Sequence, residues 1–390
     1  AGGVIENADL DEVNLAFVLS DGQKIYIPNK NEKEISGEKV YITAGSGNNV
    51  IVEDKVERGK KQKVNINEAK QEDFEQLPGI GPSIAKKIIE YREQNGKFTS
   101  IDELQEVKGI GEAKFENIKE YIMVKIIADS TCDLSEELIK KYDISILPLH
   151  ILLGEEEYED GKTITPEEIF AWSDAHKTTP KTSAPGLEQA LALIRPFVEE
   201  EREVICFSIS DSMSTSGNVM RLAVEELHAD GLVTVIDSEN LSTGIGLLVV
   251  EAAQMAQEGK AAVEITERIY DLRPRVRASF VVDTLTYLHR GGRCSGVAAL
   301  AGSVLKLHPK IVVKDGAMGV AKKYRGKLAS VVRAYVTDME DELRLARPER
   351  VFITHSGCDR AIVEETRSYL EELGVFEEIL ETRAGGVVSS

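Results

Sequence analysis

Positive charge is in short supply relative to negative in this sequence. Lys and Arg number 47 against 67 Asp and Glu, a formal net charge of −20. Non-specific nucleic-acid affinity comes mainly from Lys and Arg on phosphates, so a general polyanion binder is excluded and any DNA contact has to be local. Cysteine is scarce too. Cys132, Cys206, Cys294 and Cys358 lie far apart, with no CxxC and no His at metal spacing. That excludes a zinc site and a disulfide framework, and it suits reduced structural thiols in a cytoplasmic protein. No run reaches the ~18 apolar residues of a membrane span, and Ala1 opens no signal-peptide pattern. There is no Walker loop and no G-x-S-x-G elbow.

What is present divides into segments. A chain of 390 residues holds two or three domains. Residues 1–52 are short alternating runs (LAFVLSDG, KIYIP, KVYIT) with a hairpin signal at Asp21-Gly22. Residues 53–63 are charged and aperiodic, which predicts a linker. Residues 64–122 have helical periodicity. From 123 onward apolar strands (VKIIA, EVICFSI, LVTVID, ASFVVD, KIVV, RVFITH) alternate with helical patterns, which argues for layered α/β structure with largely parallel sheets.

The helical segment contains a repeat. FEQLPGIGPSIAKKIIEYR (74–92) is echoed by LQEVKGIGEAKFENIKEYI (104–122), so Gly79-Ile80-Gly81 and Gly109-Ile110-Gly111 lie thirty positions apart. Paired glycines let a tight turn bring backbone N–H groups to a phosphate without Cβ interference, and the following helix offers its positive end. Ile80 and Ile110 are the expected core anchors, and Lys86, Lys87, Lys108 and Lys114 the nearest cations. The alternative is that the glycines only connect helices. Residues 64–122 carry 12 acidic and 8 basic side chains, net −4. The pattern resembles the tandem helix-hairpin-helix module. With VNINEA (64–69) and YREQNGKF (91–98) it is similar to the competence-type DNA receptor family ComEA. Residues 2–28 resemble part of the β-grasp (SLBB-like) domain that precedes the hairpins there. The resemblance implies DNA-backbone binding. It also implies that further β-grasp strands and a membrane anchor precede Ala1; an anchored module would lie outside the membrane.

Two polar loops stand out after Met123. KTSAPG (181–186) precedes the helical run LEQALALI, and SISDSMSTSGN (208–218) lies between the strand EVICF and an amphipathic helix. Hydroxyls and free N–H groups at a helix start suit a carboxylate or phosphate, and they suit simple capping as well. DSTCDL (129–134), KTSAPG, MSTSGN (213–218), DTLTYLHRGGRCS (283–295) and KYRGK (323–327) resemble, in order, the signature elements of the DegV family of bacterial fatty-acid-binding proteins. MSTSGN departs from the commoner Leu-Ser-Gly-Thr but keeps the central serine.

The resemblance implies two α/β lobes, 123–276 and 277–390, with a long-chain fatty acid between them and no cofactor. Thr182 and Ser214 are then the carboxylate ligands, with Ser183 and the amides near Gly217 behind them. Arg293 and Arg325 become candidates for a tunnel rim, phosphate stabilisation or partner docking, and the run 295–307 for a tunnel wall. The partner implied is a separate fatty acid kinase subunit, which performs the chemistry, so this chain is expected to be no enzyme. Burying an acyl chain of about sixteen carbons gains on the order of 11 kcal/mol gross at ~0.8 kcal/mol per CH₂, a gain that an unpaired head group would cut heavily. The family's final His and Gly-Pro-Gly turn fall just past AGGVVSS (384–390), so a missing last strand is expected. His355 in ITHSG is expected to be a structural or surface histidine, and a hydrolase built on Ser214 with His355 or His289 has no acid–His pairing behind it.

Met123 sits where one resemblance stops and the other starts. That suggests two normally separate proteins joined by gene fusion or by an assembly error. The competing function is therefore a DNA-uptake protein carrying an accidental or uncoupled lipid-binding part.

Overall fold

The computed structural model describes residues 64–283 and 307–389, apart from 65, 68, 99, 120 and 201, and the short strands at 24–25, 41–43, 49–53 and 294–295. The chain forms two compact units, 1–62 and 63–390. In the first, β1 (Lys24–Ile25), β2 (Tyr41–Thr43) and β3 (Asn49–Glu53) form an antiparallel sheet of order β1-β3-β2. β3 runs through Glu53, the first residue of the expected linker. Most of the expected β-grasp segment and the rest of the linker lie outside the described residues.

The second unit opens with α1 (Gln71–Glu75), α2 (Pro82–Asn95), a 3-10 turn (Ile101–Glu106) and α3 (Glu112–Lys119). The repeat seen in the sequence is repeated in the hydrogen bonds. Ile80 N donates to Leu77 O and Ile110 N to Val107 O, both at 3.0 Å. Gly81 O accepts from Ile84 and Ala85, and Gly111 O from Lys114 and Phe115. Ile80 and Ile110 are buried as expected. Gly79 (φ +72°) and Gly109 (φ +113°) lie in the left-handed region that favours glycine.

The first lobe is built on a parallel sheet of order β10-β9-β4-β5: β4 is Lys125–Asp129, β5 Ser145–Leu147, β9 Val204–Ser208 and β10 Val233–Asp237. β4 and β9 are buried at every position because helices cover both faces. Alternate residues serve the two faces. Ile126, Ala128, Ile205 and Phe207 join a core with α8 (Thr243–Gln257) and α9 (Ala262–Leu272). Ile127, Val204 and Cys206 join another, which includes side chains of α6 (Leu187–Glu199) and α7 (Ser216–Glu226). A small antiparallel sheet, β7-β6-β8 (Glu156–Glu159, His150–Leu153, Lys181–Ser183), sets Thr182 opposite Ile151.

The second lobe carries a sheet of order β11-β13-β14-β12 (Ser279–Val281, Leu307–Lys314, Ala317–Arg325, Cys294–Ser295) and a parallel pair, β15 (Arg350–His355) with β16 (Glu378–Arg383). Among the described residues no helix is long and apolar enough to cross a membrane.

Candidate lipid site between the lobes

The chain order of the parallel sheet reverses between β4 and β9, and in open α/β sheets ligands bind outside the strand ends at such a switch point. Two loops leave the sheet there. One is Ser130–Leu134 after β4. The other is Ile209–Thr215 after β9, and it carries Ser214.

Asp129 ties the two loops together. It is fully buried at the end of β4. Its Oδ1 accepts from the Thr131 amide at 3.2 Å and the Thr131 hydroxyl at 2.5 Å. Its Oδ2 accepts from the Ile209 amide and the Ser216 hydroxyl, both at 2.8 Å. Burial pushes this carboxyl above the usual range, and the four donors pull it back. Ser214 is fixed from both sides: its amide donates to Ser210 O at 3.1 Å, and its hydroxyl oxygen accepts from the Ser216 amide at 3.2 Å. α7 starts two residues later and brings the positive end of a helix near the loop.

A cavity of about 1580 Å³ runs between the lobes. Thr182, Ser183, Ser214, Thr215, Ser242 and Thr243 line it together with apolar side chains that include Leu248, Val313, Val332, Val336, Leu370 and Phe376. Hydroxyls and a long apolar wall in one space can hold an amphipathic molecule with a small acceptor head and a hydrocarbon tail.

The expected site residues do not all meet. Thr182, Ser183 and Ser214 share the cavity; Gly217 is outside its described lining. Gly217 is buried in the first turn of α7, where a Cβ would stand 2.4 Å from Asp211 Oδ1 and 2.7 Å from Ser208 Oγ, so its smallness serves packing. Arg325 is exposed at the end of β14 opposite Leu307, and it too is outside the described lining. Arg293, His289 and all of the run 295–307 except Ser295 and Leu307 lie outside the described residues.

His355, expected to be a structural or surface histidine, lines the cavity with its Nε2 3.4 Å from Glu381 Oε1. Arg275 and Arg277 also line it. In the sequence they belong to RPRVR (273–277), which straddles the lobe boundary expected at 276/277. Among the described residues no hydrogen bond joins Ser214 to a histidine, and no group of His, Cys, Asp and Glu is placed to hold a metal. Cys132 and Cys206 are buried, and burial pushes the Cys206 thiol up to about 12, as for an inert core cysteine.

Residues 59–123 match the model of the helix-hairpin-helix motif, and residues 123–390 match the model described as "Uncharacterised protein, DegV family". A DegV domain-containing protein of Clostridium perfringens is 36% identical over 203 residues, covering 52% of this chain and 72% of the relative. A structure described as fatty acid binding of a DegV family protein from Thermus thermophilus superposes with a TM-score of 0.61 at 28% identity, covering 68% of this chain and 94% of that one. A stearic acid-binding protein from Eubacterium ventriosum gives 0.60 at 30% identity, with 68% and 93% covered. With its model matching more than two-thirds of the residues, and with a two-lobed α/β architecture shared with these structures, the chain belongs to the DegV family.

Proposed function

We propose that this chain is a fatty-acid carrier: it holds one long-chain acid in the inter-lobe cavity, with the carboxylate on Thr182, Ser183 and Ser214, and presents that carboxylate to a separate fatty acid kinase subunit. The observation that carries the reading is one cavity lined both by these hydroxyls and by a long apolar wall. The fatty-acid-binding structures at 28% and 30% identity support the ligand class. A carrier needs no catalytic group of its own, because the partner supplies phosphoryl transfer.

Lipid extraction and mass spectrometry of the purified protein test it, and a single C14–C18 acid is expected. Thr182→Ala/Ser214→Ala removes two hydrogen bonds to a charged group, about 3 kcal/mol together, which weakens oleate binding roughly 150-fold. A protein that carries no lipid and takes up no added oleate overturns the reading. For the kinase step, loaded protein, a bacterial fatty acid kinase subunit and ATP are expected to yield acyl phosphate, and the double variant very little.

A second activity is favoured by one feature of the hairpins, the glycines at 81 and 111. Neither has positive φ, and a Cβ on either would meet nothing within 4 Å. Each precedes the first residue of a helix, where glycine is tolerated but Ser, Asn or Asp caps better, so neither φ nor packing demands glycine, whereas the close approach of a DNA phosphate does. Gly79-Ile80-Gly81 and Gly109-Ile110-Gly111, with Lys86 and Lys114 beside them, form the proposed backbone-binding pair. Gly81→Ala/Gly111→Ala is expected to change stability by no more than about 1 kcal/mol while reducing the gel shift of duplex DNA at low salt at least tenfold. An unchanged shift shows that the hairpins are not the contact.

A further inference from the structure

Part of the cavity wall belongs to the second lobe by sequence and to the first by its bonds. Ala384, Val387, Val388 and Ser389, in the turn that follows β16, line the cavity. The Gly385 amide donates to Asp133 Oδ1 at 2.8 Å, and the Gly386 amide to Asp160 Oδ1 at 2.7 Å, which also accepts from the Val387 amide at 3.3 Å. The other oxygen of each carboxylate is held inside the first lobe. Asp133 Oδ2 accepts from the Ser242 hydroxyl at 2.5 Å and Asp160 Oδ2 from the Ser130 hydroxyl at 2.8 Å. Ser130 in turn accepts from the Leu149 amide at 3.2 Å.

Both aspartates are buried. The fit around the turn is tight. A Cβ on Gly385 would lie 3.2 Å from Asp133 and 3.3 Å from Asp160, and one on Gly386 would lie 2.4 Å from Ile169 and 2.6 Å from Ile151. Val387 packs on that same Ile151–Ile169 cluster, and Arg383 pairs with Glu167.

We infer that Asp133 and Asp160 form a clasp, positioning residues that hold the 384–389 wall shut against the first lobe and so set how long a bound lipid is retained. The inference rests on the fatty-acid reading above. Its logic is that buried backbone N–H groups lose stabilisation sharply when their acceptors go, so this wall has one well-bonded position and a costly open one.

The clasp also has a pH sense. Burial raises both carboxyls, and the neighbouring charges of Asp160 and Asp129 add to the rise at Asp133, which stands at about 8. A folded-state pKa above the unfolded value gives stability that is present at low pH and lost as pH rises through about 8. Among the described residues the titratable groups next to the pair are Asp129, whose charge raises Asp133, and Cys132; Arg383, at the base of the turn, is paired with Glu167.

Oleate dissociation from the full chain, followed with a fluorescent acyl probe between pH 6 and 9, tests the clasp. Asp160→Ala is expected to speed dissociation at least tenfold at pH 7. Asp160→Asn should stay near the parent, since its amide oxygen still accepts from Gly386 and Val387 and its NH₂ faces the Ser130 hydroxyl. The parent rate should climb from pH 6 to 9, and Asp133→Asn/Asp160→Asn should flatten that climb. An unchanged rate in Asp160→Ala, or a double Asn variant with the parent's profile, overturns the clasp. Where the Ala variant does not fold, the double Asn profile decides. Amide hydrogen exchange at 385–387 in lipid-free protein separates the two readings. If no fatty acid binds, the carrier reading fails, while the clasp still stands or falls on whether Asp160→Ala accelerates exchange at those amides.

Discussion

Asp129→Ala is expected to lower the unfolding free energy by about 5 kcal/mol and to abolish fatty-acid binding. The side chain accepts four hydrogen bonds: two from Thr131 in the loop after β4, one from Ile209 in the loop after β9, and one from Ser216 at the start of α7. Removing it strands the amides of Thr131 and Ile209 and the hydroxyls of Thr131 and Ser216 in a dry site, and each orphaned buried donor costs about 1–3 kcal/mol. Relief of the desolvated charge offsets part of that sum. Total stabilities of about 5–15 kcal/mol leave little margin.

Asp129→Asn is the sharper experiment. Each carboxylate oxygen faces one backbone N–H, so whichever way the amide turns, its NH₂ meets a donor. The expected loss is about 2 kcal/mol, with weakened oleate binding because the Ile209–Thr215 loop carries Ser214. Urea unfolding and oleate titration check both variants. An Asn variant with parent stability and parent affinity would show that Asp129 does not position the loop.

Residues such as these mark the boundary of what the sequence discloses. VKIIA and EVICF are legible as buried parallel strands because helices on both faces demand apolar residues at every position. The twin hairpins are legible because a duplicated turn repeats its glycines, and the hydrogen bonds repeat with them. Thr182 and Ser214 are marked as ligands by the family resemblance and by lying in hydroxyl-rich loops, and they share one cavity.

Asp133 and Asp160 are not legible. Asp133, just ahead of Ser135 and a helical run, ordinarily reads as part of a helix start and Asp160-Gly161 as a turn, and nothing local tells that Asp133 bonds the amide of residue 385, or Asp160 those of 386 and 387. Gly217 misleads for the opposite reason. It sits in a ligand-like loop motif, but its lack of a side chain answers to Asp211 and Ser208. Long-range polar pairing carries no periodicity, so pattern reading passes over it.

Ile66→Ala and Gly259→Ala, singly and together, bear on the join at Met123, where two uncoupled halves are the expectation from sequence. Met123 is buried and bonded on both sides. Its amide donates to Lys119 O at 3.1 Å, and its carbonyl accepts from Arg202 Nε at 3.2 Å. One hydrophobic core runs without interruption from Val64, Ile66 and Ile101 through Ile122 and Met123 to Ile126 and α8. At the end of α8, Gly259 takes φ +75° in a Schellman turn, with Gly259 N on Ala256 O and Lys260 N on Met255 O. A Cβ there would lie 3.0 Å from Ile66 and 3.5 Å from Ile101. Gly259→Ala therefore adds left-handed strain to crowding against the helix-hairpin-helix module, about 3 kcal/mol in all. Ile66→Ala opens a cavity at a fully buried position and costs about 4 kcal/mol. In the Ile66→Ala background the new methyl has room, so the Gly259→Ala penalty should fall by about 1 kcal/mol, a coupling that distant independent sites do not show. Urea unfolding of the four proteins reads it. Strict additivity, or separate transitions for the two modules, would establish that they are merely tethered; coupling within one transition means that the hairpins and the lobe they pack on fold as one body.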